Sequence, residues 1–443
     1  MKKYGFLLLC FLFVLSLLTP YATVSYAAES TKQTIPYDLN DWIIDEENGY
    51  LYAVSTLSGK LLFIRIKDLK IENEVDVGPL PTRVTKHQNM LYVTLTNNKK
   101  IVSVSIDTKK KTKEWVTSAS TDQIAFDEDR LFYFSSGSWG ELYSIQLKTG
   151  QEEKVKTPDY HYSTPGILVD EQKHILYIGE SGSTGSNVYA LDTRTFNQLS
   201  VTTLDNGYGI SNMWREMFLQ DGALFYGGLR LNARDLAEVE GRYFREFANN
   251  IILVKRGYVF SEESIYDREQ FVKLHDLPFK TDMIQMDSDN NLYLFDHLSK
   301  SIHKQKLGKI SIPKTNASYT KNHIILDNKI RKWVYSEERQ RIYAISQTAN
   351  RLFIIEPNQM RLEKEYLIGS EPVDIQLFDE KLYISLWGST KIAVIDLNDP
   401  EHPEKITTST NPYHLAVDDK KLFYADIDQH QYVYVYELDT AQN

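Results

Sequence analysis

The fold is decided by the stretch Leu91-Tyr92-Val93-Thr94 and by the run Val102-Ser103-Val104-Ser105-Ile106-Asp107-Thr108 that follows it. The second run alternates between apolar and polar residues, which is typical of a strand with one buried face. Short runs of acidic or amide residues, such as Asp127-Glu128-Asp129, precede stretches like Leu91-Tyr92 elsewhere in the chain. Such residues favour tight turns. Together these stretches predict antiparallel strands joined by hairpins.

The pair of one apolar and one aromatic residue recurs ten times, at a spacing of roughly 40 residues. The ten pairs are Leu51-Tyr52, Leu91-Tyr92, Leu131-Phe132, Leu176-Tyr177, Leu224-Phe225, Val259-Phe260, Leu292-Tyr293, Ile342-Tyr343, Leu382-Tyr383 and Leu422-Phe423. This period is the length of one propeller blade, so we predict an all-β protein, a β-propeller of four-stranded blades with about ten repeat units. The blade number stays open between seven and ten, since residues 214–283 contain two shortened units. Only Ala233–Ala248 favours a helix.

A family resemblance rests on the same residues. The stretch from Leu91 to Thr108 resembles the YVTN-type propeller repeat, and Leu382-Tyr383-Ile384-Ser385 with Ile395-Asp396-Leu397 resembles it again. The resemblance implies a propeller that is exported or held at the cell surface and that serves as a binding platform.

The two ends of the chain suggest how the predicted ring closes. Exposed strand edges invite aggregation, so a propeller closes its ring. Thr34–Asp38 occupies the place of a fourth strand, while the last unit ends near Leu438 after three. We therefore predict that the N-terminal strand completes the last blade.

The N-terminus has the order of a secretory signal peptide. Lys2 and Lys3 precede an apolar run to about Leu18, and small residues end at Ala27. We predict removal of residues 1–27 and a single propeller domain over residues 28–443. Cys10, the only cysteine, would leave with the signal, which excludes thiolate catalysis and cysteine metal sites in the mature protein.

Charge and hydropathy bound the location and the partners. The chain has 60 acidic and 50 basic residues, and loss of Lys2 and Lys3 changes the formal charge from −10 to −12. Such a surface repels nucleic acid, and no apolar run after the signal is long enough to anchor the chain in a membrane. We expect a secreted bacterial protein at the cell surface with a protein or carbohydrate partner. Trp139 and Trp387, in predicted loops, are candidate contacts for that partner.

Candidate site residues follow from the repeat. The start of each innermost strand lies nearest the channel of a propeller, and one residue can be aligned there in every unit. The aligned residues are Asp41, Arg83, Gln123, Gly166, Glu216, Asn250, Asp282, Lys332, Asp374 and His414. The nine that are not glycine are the predicted channel or ligand-binding residues. A polar channel mouth also arises simply because buried charge is costly, so both interpretations stay open.

The chemistry of this predicted ring is not fixed by spacing. The cofactor is unknown; Ca²⁺ is one possibility, with Asp282 and Asp374 among its oxygen ligands. His297 and His303 lie six residues apart, too far along a strand to share a metal ion. Because no catalytic motif is complete, a binding or scaffold module is the first hypothesis. The alternative is an exported hydrolase or lyase, lactonase-like or polysaccharide-directed, in which channel carboxylates and His414 act as acid and base.

Overall fold

The computed structural model describes residues 30–136, 139–157, 164–180, 187–202, 216–244, 250–427 and 432–438. The predicted signal peptide lies outside these ranges. Within them the chain forms strands and no helix, arranged as nine four-stranded sheets, one three-stranded sheet and one two-stranded hairpin. The prediction of an all-β protein built from four-stranded antiparallel units is confirmed.

Seven sheets, which we call blades 1 to 7, form a ring. Blades 1 to 3 contain β2 (Asp41–Asp45), β3 (Tyr50–Ser55), β4 (Lys60–Arg65), β5 (Ile71–Asp76), β6 (Pro81–His87), β7 (Met90–Leu95), β8 (Lys100–Ser105), β9 (Lys110–Val116), β10 (Thr121–Asp127), β11 (Arg130–Ser135), β12 (Leu142–Gln146) and β13 (Glu152–Val155). Blades 4 to 6 contain β14 (Gly166–Asp170), β15 (Ile175–Gly179), β16 (Val188–Asp192), β17 (Gln198–Val201), β18 (Met217–Gln220), β19 (Ala223–Tyr226), β20 (Leu229–Asn232), β21 (Val239–Arg242), β22 (Leu253–Lys255), β23 (Tyr258–Phe260), β24 (Ser264–Asp267) and β25 (Lys273–Asp276). Blade 7 contains β26 (Ile284–Met286), β27 (Asn291–Asp296), β28 (Ser301–Lys306) and β1 (Ser30–Thr34).

The ring closes between blade 7 and blade 1. The first strand of each blade lies against that of the next, and β26 lies against β2. Across this junction the Gln285 side-chain amide donates to the Trp42 carbonyl at 3.1 Å. β1 pairs antiparallel with β28, with Ser30 opposite Gln305 and Thr34 opposite Ser301. An N-terminal strand therefore completes a blade, as predicted. However, this strand is Ser30–Thr34 and not Thr34–Asp38, and the repeat that it completes is the seventh and not the tenth.

The last three repeats form a separate stack, which we call the arc (residues 332–437). Its sheets contain β31 (Lys332–Ser336), β32 (Arg341–Ser346), β33 (Arg351–Glu356), β34 (Arg361–Leu367), β35 (Pro372–Phe378), β36 (Lys381–Leu386), β37 (Lys391–Asp396), β38 (Glu404–Thr407), β39 (His414–Val417), β40 (Lys421–Ala425) and β41 (Tyr434–Glu437). The hairpin of β29 (Ala317–Tyr319) and β30 (Ile324–Leu326) precedes it and packs on its first sheet. Seven blades already complete the circle, so the remaining repeats stack beside the ring.

The arc is joined to the outer strand of blade 5. The Thr390 amide donates to the Val239 carbonyl at 2.9 Å. The Ser370 hydroxyl, fully buried, accepts from the Arg242 amide at 3.1 Å and donates to the Arg242 carbonyl at 2.9 Å. Backbone groups at the edge of β21 are therefore satisfied by the arc.

The recurring aromatic residues form the core between sheets. Nine of the ten are buried, and the tenth, Phe423 in the last sheet, is half-buried. The Tyr293 hydroxyl donates to Asp287 at 2.8 Å, and the Tyr52 hydroxyl donates to Asp45 at 3.0 Å. The acidic turn before each of these pairs therefore satisfies a buried hydroxyl as well as reversing the chain.

The irregular region of the sequence folds into complete blades. Residues 217–276 supply two four-stranded sheets whose strands have only three or four residues, which explains the shortened repeats. The helix expected over Ala233–Ala248 is wrong in its described part, because Val239–Arg242 forms β21. Pairing with β20 on one side and contact with the arc on the other favour the extended conformation there.

Candidate ligand site in the ring channel

A cavity of about 670 Å³ lies where the first strands of the ring converge. Its lining includes five of the predicted residues, namely Asp41, Arg83, Gln123, Glu216 and Asp282. They come from blades 1, 2, 3, 5 and 7, so their proximity depends on ring closure. The volume is in the range of small-molecule sites.

Backbone irregularities place some of these side chains. The register of β6 and β7 shifts between Pro81 and Arg83, and that of β10 and β11 shifts between Thr121 and Ile124. A β-bulge bends a strand and redirects the side chains beside it. Arg83 and Gln123 lie within these irregular segments, and both residues line the cavity.

An ion cluster centred on Arg83 crosses the cavity. Its guanidinium forms an ion pair with Glu216 and lies 3.7 Å from an Asp41 carboxylate oxygen. Asp122 lines the same cavity and interacts electrostatically with both Arg83 and Asp41. With Asp282, four carboxyl groups of the lining surround this cation, which makes the cavity a site of acidic character.

The pKa of the Asp41 carboxyl group is strongly shifted from its ordinary value. Its carboxyl accepts a hydrogen bond from the Val84 amide at 2.8 Å, and its side chain is only 17% exposed. Burial raises its pKa from 3.8 to about 7, although the charge of Arg83 works in the opposite direction. A carboxyl group that titrates near pH 7 can give or take a proton under physiological conditions.

The rim contains a histidine held between two carboxylates. His297 contacts Asp282 through Nε2 at 2.8 Å and Asp38 through Nδ1 at 3.0 Å. The hydrogen bond to Asp282 is the main reason that the pKa of His297 rises to about 8. Burial works to raise the pKa of Asp282, but the hydrogen bond from His297 and the charges of His297 and Arg83 together leave that pKa below its ordinary value. The bridge joins the segment after β1 to blade 7.

The other predicted residues lie outside the cavity, because the prediction placed all ten repeats around one channel. Lys332 and His414 are the first residues of β31 and β39, and Asp374 is the third residue of β35, so all three lie on the first strands of the arc sheets. Asp374 forms an ion pair with Lys332 and accepts from the Leu415 amide at 3.0 Å, while His414 is exposed. Asn250 is buried but is not among the described residues that line the cavity. Asp282 and Asp374, named together as Ca²⁺ ligands, are therefore not brought to one site.

Three residues of the site were missed in the sequence. Asp122 directly precedes Gln123, so extending the alignment by one residue would have found it. Asp38 was assigned only to the closing strand, and His297 was considered only as a partner of His303. No sequence spacing signals the bridge between Asp38 and His297, because these residues are 259 positions apart and meet only after the ring closes.

Two features are absent from the described residues, namely a metal-binding cluster and a membrane-spanning helix. Within the described ranges, no group of three or more histidine, cysteine or acidic side chains is placed to hold a metal ion. Nor does this part of the chain include a helix that is long and apolar enough to span a membrane.

Comparison with known proteins finds similarity only among solved structures. No family model and no curated protein matches the chain. Hydrazine synthase of Kuenenia stuttgartiensis is 12% identical, over 85% of this chain and 97% of its own, with a TM-score of 0.38. The Cps50 (Swd1) β-propeller domain of Myceliophteria thermophila is 11% identical, over 85% of this chain and 99% of its own, with a TM-score of 0.35. At these values the similarities add no argument on function; the protein's own sheets define it as a propeller.

Proposed function

We propose that the protein is an exported binding module of the YVTN-type propeller family at the bacterial cell envelope, and that its ring cavity holds a small polar ligand. Support for export and family comes from the signal-like N-terminus and the repeat that begins at Leu91. One observation carries the binding site: charged side chains from blades of one ring converge on a single cavity, whereas the interfaces between blades are apolar.

The lining favours a ligand with a positively charged group. The lining has four acidic side chains and two basic ones, Arg83 and Lys86; the acids are Asp41, Asp122, Glu216 and Asp282. A ligand cation would compete with Arg83 for Glu216 and with His297 for Asp282, and both carboxylates retain exposed surface, with 30% and 35% of their side chains accessible. Hydroxyl groups of a sugar would find acceptors on the same carboxylates.

A thermal-shift screen tests this proposal, because a compound that binds only the folded state raises its apparent stability. We would screen Ca²⁺, amino sugars, cell-wall fragments and lactones. A hit is expected to lose at least about 90% of its affinity in Glu216→Gln, a loss of about 1.4 kcal/mol. Asp419→Asn, which changes an exposed carboxylate between β39 and β40, should leave the affinity unchanged. Equal binding by Glu216→Gln would contradict the assigned site.

A second candidate function, a hydrolase or lyase, is favoured by one specific observation. The pKa of Asp41, raised to about 7 by burial, suits a general acid or base at neutral pH. This proposal replaces His414 with Asp41 as the proton-transferring group, since His414 lies on the arc. If a compound from the screen is turned over, Asp41→Asn should abolish turnover while binding persists; full turnover by that variant would refute the enzyme proposal.

A further inference from the structure

The last sheet of the arc differs from the other nine blade-like sheets. It contains β39, β40 and β41, and within the described residues no fourth strand pairs with the outer edge of β41. Its outer face is also open: Phe423 pairs with Val435 and Ala416, and these three residues are exposed or half-buried. In the described part of the chain, the arc therefore ends in a sheet with neither a fourth strand nor an apolar covering.

The composition of β41 is unusual for an edge strand. Most other outer strands carry charges that discourage pairing, as β9 does with Lys110, Lys111, Lys113 and Glu114; β17 is uncharged. In contrast, the segment from Tyr432 to Tyr436 consists only of tyrosine and valine. Within it Val433 is 69% exposed and Val435 is 50% exposed. Aromatic and β-branched residues favour strand pairing, so this edge is suited to receive another strand.

The segment is also a palindrome. Tyr432-Val433-Tyr434-Val435-Tyr436 reads the same in both directions. If two copies pair antiparallel about Tyr434, valine faces valine and tyrosine faces tyrosine at every position. The one charge of β41, Glu437, lies at its end, where it would not face its counterpart in the other copy. Such a contact is isologous, as a two-fold symmetric dimer requires.

We propose that β41 is a dimerisation edge, through which two copies of this chain pair antiparallel about Tyr434. The two three-stranded sheets then become one six-stranded sheet, and Val433 and Val435 of each copy are covered by the other. The dimer places the two ring cavities outside the contact, since the edge belongs to the arc, so the inference is independent of the proposed ligand site.

Disulfide trapping tests the register directly. Directly opposed residues in an antiparallel pair have Cα atoms about 4.5–5.5 Å apart, within the range of a disulfide. In the full chain carrying Cys10→Ser, which has no other cysteine, Tyr434→Cys should give a cross-linked dimer under mild oxidation. Tyr432→Cys is the matched control, because its counterpart would lie about 13 Å away along the strand. Equal cross-linking at the two positions, or none at position 434, would overturn the proposal.

Sedimentation equilibrium gives a second, independent measurement. The unmodified chain should reach twice its monomer mass between about 1 and 100 µM. Val433→Lys with Val435→Lys places lysine opposite lysine in both cross-strand pairs and should yield a folded monomer. Val116→Lys, at the exposed end of β9, is the control and should remain dimeric. A monomeric unmodified chain, or a lysine double variant that stays dimeric, would contradict pairing through β41.

Discussion

The hydroxyl of a single buried tyrosine shows how closely the turn and the core are linked in each repeat. Tyr293 is fully buried, and Asp287 at the start of the preceding turn accepts its hydrogen bond while also accepting from the Asn291 amide at 2.8 Å. Tyr52 and Asp45 repeat this arrangement in blade 1. The sequence predicted the turn and the buried aromatic side chain. It did not predict the hydrogen bond between them, because that bond depends on the strand register.

This bond can be measured by replacing Tyr293 with phenylalanine. Tyr293→Phe should lower the free energy of unfolding by about 1–2 kcal/mol, since the buried carboxylate of Asp287 loses one of its hydrogen-bond donors. Tyr319→Phe, at a residue that is 50% exposed in the hairpin before the arc, should change it by less than about 0.5 kcal/mol. Denaturant titration of both variants tests the assignment, and equal effects would show that the hydroxyl of Tyr293 is not stabilising.

Asp41 should leave a mark on the pH dependence of stability. Its pKa is about 7 in the folded protein and near 3.8 in the unfolded chain. The folded state therefore binds more protons between these values, and the free energy of unfolding contributed by Asp41 falls as the pH rises from about 4 to about 7. Asp41→Asn should flatten that part of the curve. Denaturation at several pH values measures it, with Asp419→Asn as the control, and an unchanged slope would contradict the assigned pKa.

At the scale of elements, the positions of the strands were easier to predict than the contacts that each strand makes with distant parts of the chain. Period-two alternation and the recurring pairs placed the sheets, even where β22 and β23 shrink to three residues. The bulge before Arg83 and the docking of β21 against the arc were not predictable, because both depend on contacts between residues distant in the sequence. Five candidate residues line the cavity because each was aligned near the start of the first strand of a ring blade.

The turn before β35 supplies a test of how the arc is held. Ser370→Ala removes a hydroxyl that serves both the amide and the carbonyl of Arg242. Because these backbone groups are buried, the loss should be about 1–3 kcal/mol in the free energy of unfolding. Ser318→Ala, at an exposed position of β29, is the control. Chemical denaturation followed by tryptophan fluorescence measures both variants, and an unaffected Ser370→Ala protein would show that this contact does not stabilise the junction.

At the scale of the whole molecule, repeat number and ring size are different quantities. The sequence showed ten repeats, and the structure contains ten corresponding sheets, but β1 completes blade 7 and leaves three sheets for the arc. Nothing in the repeat period marks where a ring closes, since this depends on the packing angle between blades. For that reason Lys332, Asp374 and His414 were aligned with residues of a channel that they do not line.

The most direct test of the central claim, that the ring cavity and not the arc holds the ligand, is hydrogen exchange with mass spectrometry on the full chain, with and without a compound that stabilises it. We predict slower exchange at the first strands of the ring, β2, β6, β10, β18 and β26, and unchanged exchange at β31, β35 and β39. Protection confined to the three arc strands, with no change around the ring cavity, would contradict the account.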